Sequence, residues 1–105
     1  MEQTTKPKRA PRKVDPLVRV VEQEVRPEIP NYAAKTSTPK KRMTAHEGRA
    51  AAWGGEFEKT GSLDSLLLSL TFEVGAATGL AIRPALVQLA AAALGEIERI
   101  DKAGR

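Results

Sequence analysis

The chain contains no cysteine, which excludes a disulfide framework, a thiolate metal site and a cysteine nucleophile together. Histidine occurs once, at His46, and no serine, threonine or carboxylate at a telling spacing accompanies it as a general base would require. Aromatic residues are few: Tyr32, Trp53, Phe57 and Phe72. Tyr32 stands alone in the first 43 residues, so a platform for stacking single-stranded bases is not expected there. Glycine is absent before Gly48, and proline after Met43 is limited to Pro84. The opening residues lack the continuous apolar run of a secretory signal, so a cytoplasmic location is expected.

These absences divide the 105 residues into two regimes, and charge divides them at the same place. Residues 1–43 carry 11 Lys/Arg against 5 Asp/Glu, a balance of +6, whereas residues 44–105 carry 6 against 8, a balance of −2. The expected organisation is a disordered, basic, proline-rich arm over 1–43 followed by an all-α module over 44–105. A module of about 60 residues buries only about 60% of the surface its unfolded chain exposes. Self-association is therefore expected on size alone.

Lys6, Lys8, Arg9, Arg12 and Lys13 lie in a stretch without apolar periodicity, where prolines remove backbone donors. Cations at this density suit a polyanion, because binding to phosphates releases condensed counterions. The alternatives are a solubilising tail, or a targeting or acidic-protein-binding role. From Asp15 the pattern changes. Asp15 can cap, Pro16 suits a first helical position, and Leu17, Val20, Val21 and Val25 recur at helical spacing, allowing a short helix over 16–26 before Pro27. Alone such a helix is marginal.

A second basic cluster includes Lys40, Lys41 and Arg42. Within it Thr38-Pro39-Lys40-Lys41 resembles the Ser/Thr-Pro-Lys-Lys units of linker-histone tails, which lie in the minor groove. The resemblance covers four residues and assigns no family.

Three helices are expected in the module. Thr44 and Glu47 fit a capping box, and His46, Ala50, Trp53 and Phe57 then share a face until Gly61, with Gly54-Gly55 as a place to bend or end early. Ser62 is the next cap, for a helix whose Leu63, Leu66, Leu67, Leu70, Val74 and Ala77 form a face wide enough to bury, with Gly79 as terminator. Its other side carries a second stripe including Leu68, Phe72, Gly75 and Gly79, read as a helix–helix contact, across a dimer or otherwise. The third helix has Pro84 in its first turn, and Leu86, Ala90, Ala93, Ile97 and Ile100 repeat at the spacing of a two-heptad seam. The last two helices are expected to form a tight antiparallel pair joined by Leu80 to Arg83.

Residues 66–82 are largely apolar and hold Gly75-x-x-x-Gly79, a spacing used by some transmembrane dimers. Glu73 in the middle opposes a membrane span, and a soluble core accounts for the same residues. Glu56 and Glu58 are two apart, as are Glu96 and Glu98, which points the members of each pair in different directions on a helix. No glycine-rich phosphate loop is present. The reading is a non-enzymatic accessory protein without cofactor, metal or membrane, self-associating through its helices and holding DNA, in preference to RNA, with Lys6, Lys8, Arg9, Arg12, Lys13, Lys40, Lys41 and Arg42. The alternative is an adaptor that docks a helix of a larger protein on Leu68 and Phe72, aided by Trp53 and Phe57.

Overall fold

The structure is a computed structural model that describes residues 22–104. Among the described residues it is all-α, with four helices rather than three: helical backbone over 22–25 (α1), then α2 (Lys40–Thr60), α3 (Leu63–Ala76) and α4 (Ile82–Ala103). The arm through Lys13 and the first residues of the expected 16–26 helix lie outside the described residues. Where that helix was expected to stop, the chain tightens into a 3-10 helix, Arg26–Tyr32, with Pro27 at its start and Pro30 inside it. Pro27 fits there because a 3-10 helix leaves its first amides unbonded in any case.

α2 begins at Lys40, four residues ahead of the expected start. Pro39 occupies the N-cap with extended geometry (φ −59°, ψ 136°), and the Arg42 amide donates to its carbonyl at 2.9 Å. Thr44 therefore lies inside the helix, and the expected capping box with Glu47 does not form. The glycines at 54 and 55 do not end the helix, which continues to Thr60. Gly61 ends it as expected: at φ +65° it adopts the left-handed conformation, and its amide donates to the Phe57 carbonyl at 2.8 Å.

Only Gly61 and Ser62 separate α2 from α3, and these two helices make the most extensive interhelical contact. A loop that short forces an antiparallel hairpin. Hydroxyls stitch the turn together. Thr60 donates to the Glu56 carbonyl at 3.0 Å with its Oγ1 3.2 Å from Ser62 Oγ, and Ser62 Oγ donates to Asp64 at 2.8 Å.

The seam of the hairpin is lined differently from expectation on one side. On α2 it draws on Ala50, which is buried, and on His46, Trp53 and Phe57, which are half-buried, as the periodicity indicates. On α3 the most deeply buried residues are Ser65, at 0% exposure, and Ser69, at 6%, while Leu66, Leu67 and Leu70 are half-buried and Leu63 is exposed. Small side chains let two helix backbones close in. A buried hydroxyl is tolerable only when bonded, and Ser65 donates to the Ser62 carbonyl at 3.1 Å and Ser69 to the Leu66 carbonyl at 3.0 Å.

Beyond Ala76 the chain extends through Ala77 and Thr78 and makes one 3-10 turn, Gly79–Ala81, with Gly79 at φ +56°. It then enters α4, with Pro84 in the first turn. α4 touches α3 far less than α2 does, so the closely packed pair is α2–α3 and not the last two helices. No residue of α4 is buried.

Candidate nucleic-acid interface

The described part of the basic surface is Lys40, Lys41 and Arg42, all exposed and all in the first turn of α2. Lys6, Lys8, Arg9, Arg12 and Lys13 lie outside the described residues. The first turn of a helix is the positive end of its macrodipole, where acidic side chains are favoured and cations cost roughly 0.3–1 kcal/mol each. Here the turn contains no acidic residue, and no side chain caps it. With the Arg42 amide already donating to the Pro39 carbonyl, the amides of Lys40 and Lys41 and three cations share one exposed pole, an arrangement that an anion relieves.

The segment ahead of this pole runs along the junction of α3 and α4. A groove of about 550 Å³ is lined by Lys35, Thr38 and Met43 together with Val74, Ile82 and Leu86. Lys35 is exposed, while Thr38 and Pro39 are half-buried, so the chain is braced immediately before the basic turn begins.

The residues of the second α3 stripe separate in the structure. Phe72 stacks on the His46 ring of α2, with centroids 5.5 Å apart and planes at 27°, and the Arg49 guanidinium lies 5.7 Å from the Phe72 centroid. The Arg49 guanidinium also lies 3.0 Å from His46 Nδ1, within hydrogen-bonding distance. Gly75 faces the same ring: a Cβ there would sit 3.0 Å from His46 Cδ2. Phe72 and Gly75 thus meet α2 of their own chain, Leu68 is half-buried, and Gly79 lies in the connection with open space around its Cα. Arg49 was not singled out from the sequence; its signal is the three-residue spacing from His46, one helical turn.

The α4 seam faces solvent. Leu86 is 47% exposed, Ile97 37% and Ile100 55%, and Ala90 and Ala93 between them are exposed as well. Gly79–Ala103 is the one stretch among the described residues long and apolar enough to cross a membrane by length and composition, a different stretch from residues 66–82. Its final turns carry Glu96 paired with Arg99 and Glu98 paired with Lys102, the latter at 3.7 Å. Hydrogen bonding to Arg99 holds the Glu96 carboxyl below the ordinary carboxylate range. Among the described residues no three His, Asp or Glu side chains gather where they could hold a metal ion. The chain matches no protein-family model, no curated protein and no solved structure.

Proposed function

We propose that this protein is a non-enzymatic accessory factor that self-associates through its helices and holds nucleic acid, DNA in preference to RNA, by its phosphates. The observation that carries the reading is the cluster Lys40-Lys41-Arg42 at the uncapped positive pole of α2. Phosphate is the anion that both the cations and the free amides accept. The cationic residues of the arm, Lys6, Lys8, Arg9, Arg12 and Lys13, add positive charge upstream on the same chain. Self-association tethers two such arms, so the second engages at high effective concentration. Binding of this kind is insensitive to sequence, as suits an architectural role in the cytoplasm better than reading of an operator.

The test is binding of a labelled duplex of about 30 base pairs across a salt series, with the full chain and with a variant in which Lys40, Lys41 and Arg42 become glutamine. The slope of log K against log salt is expected to flatten by about 0.9 for each phosphate that the variant leaves unneutralised. An unchanged slope removes the α2 pole from the interface, and absence of binding by the full chain at low salt removes the nucleic-acid reading altogether.

The adaptor alternative draws support from a different place than the α3 stripe. Phe72 and Gly75 are engaged within the chain, whereas α4 displays an apolar seam that stays exposed among the described residues, with Leu86 at the edge of the groove shared with Lys35 and Thr38.

A further inference from the structure

The geometry points to α4 as the surface through which two copies of this chain pair, in antiparallel register about a two-fold axis near Ala93. This assignment rests on the self-association in the function proposed above and names its surface. The seam Leu86, Ala90, Ala93, Ile97 and Ile100 runs for about 21 Å along one side of the helix and is exposed throughout. Burial within the chain is slight, since Ala50 is the one apolar residue buried among those described. A helix with an uncovered heptad seam on a module with so small a core gains most from a second helix of the same kind.

The occupant follows from what the helix carries at its two ends. Arg83 and Asp101 make no ion pair with any described residue, while the other charges of the C-terminal turns are paired as Glu96–Arg99 and Glu98–Lys102. Arg83 and Asp101 are 18 residues apart (101 − 83), which is about five full turns, so they flank the seam on the same side. Antiparallel pairing about Ala93 brings Arg83 of each copy beside Asp101 of the other, twice per dimer. It also sets Ala90 opposite Ile97, small against large, and aligns the two helix dipoles head to tail. Parallel pairing would instead set Arg83 against Arg83 and alanine against alanine through the middle of the seam. Both halves of each complementary pair lie on this one helix, which is the signature of an isologous interface.

The experiment is sedimentation equilibrium of the full chain with charge-swapped variants. The unmodified protein is expected to be dimeric. Arg83→Asp and Asp101→Arg should each raise the dimer dissociation constant about tenfold, and the double variant should return it to within about twofold. The two side chains are about 27 Å apart along a single helix, so such rescue can act only between copies. Because the chain has no cysteine, Leu86→Cys and Ile100→Cys proteins can be mixed and oxidised: the mixture should cross-link and neither alone should.

Self-cross-linking of Leu86→Cys would establish parallel pairing and overturn the assignment. A dimer indifferent to the swaps and to Ile97→Lys would overturn the α4 seam and leave self-association standing. A monomer would remove both, and a monomer that floats with phospholipid vesicles would give the seam to a lipid surface. Loss of duplex binding by an intact dimer would remove only the phosphate reading.

Discussion

In the α2–α3 hairpin the residues most withdrawn from solvent are Ser65, Ser69 and Ala50, all small, whereas α4 buries nothing and holds Leu86, Ile97 and Ile100 out to solvent. The hairpin closes because its seam is narrow. Small side chains and one glycine let the helices approach, and His46, Phe72 and Arg49 fill the remaining width. α4 has the more regular apolar stripe and the less complete burial. Within one chain, closeness of approach decides which faces pack, and the regular heptad seam of α4 stays exposed.

That contrast breaks most readily at Ser65. Ser65→Leu places a large side chain where there is no exposed area, and overpacking should cost about 1–3 kcal/mol in urea melts followed by circular dichroism. The effect should not depend on protein concentration, because the packing is within the chain. Ile97→Lys should instead lower Tm in a concentration-dependent way, as damage to a self-associating surface does.

A smaller effect is expected at the hinge of the hairpin. Gly61→Ala puts a Cβ at φ +65° and should cost about 1 kcal/mol in the same melts, with no change in oligomeric state. In the opposite direction, Gly54→Ala and Gly55→Ala introduce Cβ atoms with no neighbour within 4 Å, in the interior of a helix. Each should stabilise by about 0.5–1 kcal/mol. A loss of stability there would mean that a second chain lies against α2, and would blur the division between the two regions.

The smallest effect concerns α4 itself. The Glu96 carboxyl is held below its ordinary range, so its contribution is present above the unfolded glutamate range and is lost as pH falls through the lower folded value. Glu96→Gln should therefore flatten the acid side of the stability profile slightly, and added salt should mask the difference.

Much of this architecture is legible in the sequence. Gly61 marks the end of α2, Pro84 the first turn of α4, and the spacing of His46, Ala50, Trp53 and Phe57 the face that turns toward α3. The start of α2 is not, because Thr44 and Glu47 satisfy a local capping pattern while the residues ahead of them are good helix formers as far back as Pro39. The serine seam is missed for a related reason. α3 is apolar on nearly every side, so periodicity selects the face with the largest side chains, and Ser65 and Ser69 count as polar although the preceding turn satisfies their hydroxyls. Of the candidate interface, Lys40, Lys41 and Arg42 are legible as a basic run, but their convergence on a helix pole depends on where that helix begins.

Trp53 is the only tryptophan, and it stands half-buried on the hairpin beside a groove lined by Glu56, Thr60 and Asp64, while α4 contains no aromatic residue. Tryptophan emission, excited where Tyr32 does not absorb, therefore watches the hairpin alone, and far-ultraviolet ellipticity watches all the helices. In one titration of a single sample, a gap between the two curves would time the release of α4 against the opening of the pair, with no label attached.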